Sequence, residues 1–68
     1  MDFIRLDETD TVVTATRALE VGVPIEASST RALIPSGHKI AVQDMAKGAP
    51  IRKYAQVIGY AASDIAAG

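Results

Sequence analysis

No stretch of this sequence keeps apolar residues at i, i+3 and i+4 over as many as about ten residues, and that gap constrains the fold more than any other feature. A helix is held by an apolar stripe packed on a core, and here no such stripe exists. Turn residues take its place. Gly22, Pro24, Pro35, Gly37, Gly48, Pro50 and Gly59 divide the chain into short β-favouring runs, at intervals of roughly eight to twelve residues. Phe3 to Leu6 is a strand candidate closed by the polar cluster Asp7-Glu8-Thr9-Asp10. Thr11 to Arg17 is rich in β-branched side chains, whose stiff χ1 suits a pleated surface. Ala18 to Gly22 has the length of one helical turn, which Gly22 and Pro24 stop. Ile25 to Thr30 is short and polar and reads as a loop or edge. A Pro35-Ser36-Gly37 turn then feeds a strand from Lys39 to Gln43. Asp44 to Gly48 carries turn chemistry, with Gly48 able to take positive φ and Pro50 fixing its own. Ile51 to Lys53 and Val57 to Ala62 are the last extended pieces. The pattern predicts an all-β fold, a small barrel or clip of about seven short strands, in a single domain over residues 1–68.

An internal echo sharpens this. Shifting the chain by 26 residues lays Ala15 on Ala41, Leu19 on Met45, Gly22 on Gly48, Pro24 on Pro50 and Ile25 on Ile51. Both halves contain Gly-x-Pro-Ile, with an apolar residue three before the glycine. Two copies of a bent strand–turn–strand unit follow, related by a pseudo-twofold axis. Each is too small to bury its own face, so the two must pack together. That is the architecture of a β-clip.

Composition matters in two places. Of 68 residues, 49% are apolar, yet the chain has one Phe, two Tyr and no Cys. Small aliphatic side chains fill a core thinly and no disulfide can brace it, so some apolar surface is expected to lie against another chain or domain. Seven basic and eight acidic residues give a net charge of −1, which argues against nucleic acid, whose phosphates demand a positive excess. The opening Met1-Asp2-Phe3-Ile4-Arg5-Leu6-Asp7-Glu8 has early acids and a short apolar run, unlike a signal peptide. Every apolar run falls far short of the roughly 18 residues of a membrane span. A soluble, cytoplasmic protein is the expectation.

Few side chains carry chemistry. His38 is the one histidine, and no spacing brings three ligands together around it, as a catalytic metal site requires. Catalysis by this chain alone is therefore not expected. Alternation places His38 on the face of Ile40 and Val42, and Lys39 on that of Ala41 and Gln43. In the echo His38 falls on Val12, so the fold accepts an apolar residue at the equivalent place, which weakens a purely structural need for histidine. Gly37 is a turn glycine whose bare backbone would let a ligand approach. Arg52 and Lys53 read either as an anion site or as charges guarding a strand edge. Tyr54 reads as packing with a wet hydroxyl, and Asp44 as a turn residue bonded to nearby backbone.

The runs Ile34-Pro-Ser-Gly-His-Lys-Ile-Ala, Asp44-Met-Ala-Lys-Gly, Ile51-Arg-Lys-Tyr, Val57-Ile-Gly-Tyr-Ala and Asp64-Ile-Ala-Ala-Gly resemble the amino-terminal domain of altronate and galactarate dehydratases. They are similar as well to the small subunit of sulfolactate sulfo-lyase. Leu6-Asp-Glu-Thr-Asp-Thr-Val-Val and Arg17-Ala-Leu-Glu-Val-Gly extend the resemblance to nearly the whole chain. It implies an SAF-type β-clip and a part in sugar-acid breakdown by β-elimination. The chain would be a small subunit or amino-terminal domain helping to complete the substrate site of a large catalytic dehydratase subunit or domain, with homo-oligomers as a further form of assembly. It also implies a divalent metal (Fe, Mn or Mg) in the complete enzyme, with His38 as this chain's one candidate ligand. Elimination needs a base for the proton α to the carboxylate and an acid or metal at the leaving group, so the resemblance marks His38 as a catalytic candidate. It marks Gly37, Lys39, Arg52 and Lys53 as substrate-binding candidates, since Arg and Lys clamp carboxylates. In that family the stretch matching Asp64 to Gly68 leads into a segment with further histidines, whose contacts would come from outside residues 1–68. Two other classes compete: a non-enzymatic SAF-type binding or assembly module, and a swapped-hairpin transcription regulator, which the missing basic excess disfavours.

Overall fold

The computed structural model describes all residues, Met1–Gly68, and contains no helix. Seven short strands follow in order: β1 (Phe3–Ile4), β2 (Val12–Ala15), β3 (Pro24–Ile25), β4 (Ser28–Ser29), β5 (Lys39–Ala41), β6 (Pro50–Lys53) and β7 (Gln56–Tyr60). They form one three-stranded antiparallel sheet, β1-β2-β5, and two hairpins, β3-β4 and β6-β7. The expected small all-β clip is what the chain adopts. Ile25 to Thr30, expected as loop or edge, is a tight hairpin in which Pro24 faces Ser29 and Ile25 faces Ser28. It escapes notice in the sequence because two-residue strands are too short to show alternation.

The internal echo is present in the backbone. Leu19 and Ile34 exchange both main-chain hydrogen bonds, at 2.8 and 2.9 Å, and Met45 and Ile65 do the same, at 2.8 and 2.7 Å. Gly22 donates to the Thr30 carbonyl and Gly48 to that of Ala61, each at 2.8 Å. Thr30 and Ala61 donate back to Val23 and Ala49, each at 2.9 Å. Equivalent residues before the hairpins are offset by 26 (Leu19 to Met45), and those after them by 31 (Ile34 to Ile65). The second hairpin is thus the first with five residues added at its tip. Gly22 and Gly48, with φ of +88° and +87°, turn the chain into the two hairpins where a side chain would be strained.

The two halves meet along β2 and β5, where Val12 faces Ala41, Val13 faces Ile40 and Thr14 faces Lys39. Because the echo lays Ala15 on Ala41, the pseudo-twofold axis runs between these strands. The core sits beneath them: Val13, Ala15, Leu19, Ile25 and Ile40, with Phe3, Val23, Ile34 and Val42 packed around. Burial of each Leu, Ile or Val contributes about 1.5–3 kcal/mol. Only 11 of 68 residues are buried, so hydrogen-bonded cross-ties carry much of the specification. Asp44 accepts from the Ala67 amide at 2.9 Å and Asp64 from the Lys47 amide at 2.8 Å. Asp44 therefore ties segments far apart in sequence, not its own turn. Gly68 donates to the Ala41 carbonyl at 2.8 Å and accepts from the Arg31 amide at 3.0 Å, joining the end of the second half to the first.

Candidate functional site

The polar cluster that separates β1 from β2 organises the region where the charged residues gather. Arg5 spreads its guanidinium over it. Nη1 donates to the carbonyls of Asp7, Glu8 and Asp10, at 2.9, 3.2 and 3.1 Å. Nε and Nη2 form a two-pronged pair with Glu26 at the tip of the first hairpin, at 2.6 and 2.7 Å. The planar fork matches a carboxylate in this way, and it drives both groups further toward their charged forms. The Arg5 hydrogen bond holds Glu26 below the usual carboxylate range and raises Arg5 itself. Asp7 is likewise lowered, here by hydrogen bonds from the Thr9 hydroxyl and amide.

Asp10 closes the cluster and is 2% exposed. Its Oδ2 accepts from the Tyr54 amide at 3.0 Å and its Oδ1 from the Ala55 amide at 2.8 Å. Next to it, Thr11 donates its amide to the Arg52 carbonyl and accepts the Arg52 amide at Oγ1, each at 3.0 Å. Two consecutive buried polar residues thus hold residues 52–55, the end of the second hairpin. Lys53 faces Gln56 there, and Tyr54 and Ala55 make a two-residue turn with φ of +57° and +59°. Both central residues lie in the left-handed region, as a type I′ turn requires, but neither is the usual Asn or Gly. Tyr54 is 62% exposed at this apex, not packed, and Lys53 Nζ lies 5.3 Å from its ring centroid. Gly59 faces Ile51 and Val57 faces Arg52, so Ile58 is the extra residue of a β-bulge. It is exposed, as are Val57 and Tyr60.

At the base of this hairpin an open concavity of about 470 Å³ is lined by Glu8, Thr11, Gln43, Asp44 and Arg52 over an apolar floor that includes Met45. Arg52 is half-buried there and forms no ion pair; those present are Arg5 with Glu26 and Arg17 with Asp2. A second hollow, of about 440 Å³, adjoins it between Asp44 and Asp64.

The other candidates lie elsewhere. Pro35 accepts from the His38 amide at 3.2 Å, and Gly37 takes φ of +81° in this turn, the pattern of a type II turn. Gly37 also donates to the Ala15 carbonyl, and Ala15 to that of His38, each at 2.9 Å. His38 is exposed although alternation puts it on the face of buried Ile40, because β5 begins only at Lys39 and the sheet ends beside it. Gly37, His38 and Lys39 are all exposed and line neither hollow. His38 adjoins Ala15 and Arg52 adjoins Thr11, four residues away along β2, an offset of about 13 Å. The fold therefore sets Arg52 in the first hollow, with Gly37, His38 and Lys39 together at the other end of one strand; Lys53, the next residue of β6, lines neither hollow.

No group of three His, Asp or Glu side chains is placed to hold a metal ion, so the residues of this chain do not by themselves fit the divalent metal that the resemblance implies. No helix is long and apolar enough to cross a membrane. Asp10 and Thr11 carry the site's construction and went unread in the sequence. Their partners lie 41 to 45 residues away, and no local motif announces them.

Residues 1–68 match the altronate/galactarate dehydratase SAF domain. The chain is 42% identical over 72 aligned residues to altronate dehydratase of Escherichia coli (strain K12), a match that takes in all of this chain and 14% of that protein. It thus spans about one-seventh of the length of the curated relative it matches. Over its whole length, this chain belongs to the altronate/galactarate dehydratase SAF domain family.

Proposed function

We propose that this domain works as a small subunit or amino-terminal domain that helps complete the substrate site of a larger sugar-acid dehydratase chain. The observation that carries the reading is Arg52, a half-buried residue without an ion-pair partner, set in a concavity whose other polar groups are hydroxyl, amide and carboxylate. A polyhydroxy acid offers the complement. Its carboxylate suits the Arg52 fork, and its hydroxyls can donate to Glu8 and Asp44 and accept from Gln43. Family membership gives the substrate class its chemical sense. Burying Val57, Ile58 and Tyr60 against a larger chain would also remove an exposed apolar arm from water.

His38, with Gly37 and Lys39, forms a second contact patch. It lies too far along β2 to reach the same small carboxylate as Arg52. In this reading His38 meets the larger chain's pocket, as an acid, a base or a single metal ligand, and the remaining ligands of any divalent ion come from other residues. This chain's part in elimination is to bind and orient the substrate, while α-proton removal and leaving-group assistance are completed with the larger chain.

A chimera tests this: the 72-residue matching region of E. coli altronate dehydratase is replaced by this chain, and altronate dehydration is measured. Arg52→Ala is expected to raise KM by about tenfold or more, the loss of one charge-assisted contact. His38→Ala is expected to abolish turnover while the domain stays folded. Full activity in both variants overturns the reading. A binding-module role has one observation in its favour, the exposed rings of Tyr54 and Tyr60 on the second hairpin. In that case a dehydratase chain would fail to co-purify and sugar binding would depend on those rings.

A further inference from the structure

The second hairpin contains five residues that the fold does without in its first half, and they end in a turn two L-residues disfavour. The first hairpin also has a left-handed residue, Glu26 at φ +55°, but its tip is tied by an exposed ion pair, not a buried carboxylate. Asp10 stands apart from both. It is buried, no Lys or Arg pairs with its carboxylate, and its two oxygens are used on the amides of Tyr54 and Ala55. The β-clip needs a strand at this place in the chain, and a buried charge is an expensive way to begin one. What the carboxylate does secure is the path of residues 52–55, which Thr11 continues at Arg52.

From this we infer that Asp10 is a positioning residue: it holds the Tyr54–Ala55 turn in its left-handed form and so fixes Arg52 at the concavity and Lys53 against the Tyr54 ring. The inference rests on the reading of Arg52 as the carboxylate clamp. Arg5 extends the device, because its Nη1 holds the Asp10 carbonyl while its other edge grips Glu26, linking both hairpin tips through one side chain. The tip is preorganised before any ligand arrives. An Asn at position 10 keeps the shape but offers one acceptor oxygen for two amides, and it turns an NH₂ toward the other.

Amide hydrogen exchange on this chain reads the clamp. In Asp10→Asn the Tyr54 and Ala55 amides are expected to exchange about tenfold faster or more, while those of Leu19 and Ile34 keep their protection. In the chimera, the same substitution is expected to raise KM about tenfold with kcat within about twofold, because the clamp is misplaced and not removed. Adding Ala55→Gly, which suits positive φ, is expected to bring KM most of the way back. A merely structural role would not show that rescue. Unchanged exchange at Tyr54 and Ala55, or a KM rise that Ala55→Gly leaves in place, overturns the inference. If Arg52→Ala itself leaves KM unmoved, the assignment of Arg52 fails, and the exchange rates still decide the clamp. Should Asp10→Asn lose protection throughout the chain, Asp10→Glu, which keeps the carboxylate but shifts its reach, repeats both comparisons.

Discussion

The two hairpins start from the same plan and end differently. In both, a left-handed glycine turns the chain in, a Pro-Ile pair opens the first strand, and an apolar residue before the glycine bridges to an isoleucine after the hairpin. The first hairpin stops after two rungs, faces serines outward and sends Leu19 and Ile25 into the core. The second runs on by five residues, kinks at Ile58, exposes Val57 and Tyr60, and ends in a strained turn held by Asp10. The first arm holds the fold together. The second reaches away from it, and the charged concavity lies at its base.

If that division is right, the same substitution should weigh differently in the two halves. Leu19→Ala is expected to cost about 3 kcal/mol or more, because Leu19 is 0% exposed at the centre of the core cluster. Met45→Ala, at the matching position but outside that cluster, is expected to cost about 2 kcal/mol. Urea denaturation of both variants gives the ranking, and equal losses would break the comparison.

Thr30 sharpens it further. Its buried hydroxyl donates to the Glu20 carbonyl and accepts the Val23 amide at 2.9 Å, whereas the second half has Ala61 at that place. Thr30→Ala should lower stability by about 1–2 kcal/mol, the cost of two part-buried groups left without their partner, visible as a lower denaturation midpoint. At the other arm a smaller change is expected, with opposite sign. Ala55→Gly relieves a left-handed alanine and should raise stability by up to about 1 kcal/mol, measured by thermal melting.

The smallest effect belongs to the Arg5–Glu26 pair. Arg5 depresses Glu26 below its ordinary 4.5, so this contribution is complete above that value and is lost as pH falls through the lower folded one. Asp7, lowered from 3.8 by Thr9, loses its share in the same direction at lower pH. Stability should therefore decline on acidification below about pH 4.5, and Glu26→Gln should flatten the upper part of that decline while costing about 0.5 kcal/mol at neutral pH. Denaturation midpoints followed from neutral to acid pH would show it.

Much of the fold was legible because its signals are local. Turn glycines, β-branched runs and the repeated Gly-x-Pro-Ile phrase each depend on a few neighbouring residues, and the structure keeps them: Gly22 and Gly48 are left-handed, and the halves share the backbone bonds that flank each hairpin. The site was legible only in part. Arg52 and Lys53 stood out as adjacent charges, and His38 as the lone imidazole. Asp10 did not, because it reads as one more member of the polar cluster that closes the first strand, and its partners lie 44 and 45 residues away. Nor does Tyr-Ala spell a left-handed turn, since the residues that force it are elsewhere. Alternation failed at His38 for a related reason: it describes the interior of a strand, and His38 sits just before one.

The ties made by Gly68 also bear on how the molecule is born. Arg31 donates to Gly68, and Gly68 to Ala41, so the middle of the chain is fastened by its sixty-eighth residue. A ribosome makes the first hairpin long before that residue emerges, and until then Arg31 and Ala41 have nothing in those places to bind. Pairings this distant in sequence close slowly. The nascent first half keeps part of its apolar face uncovered until the second arrives to close over it.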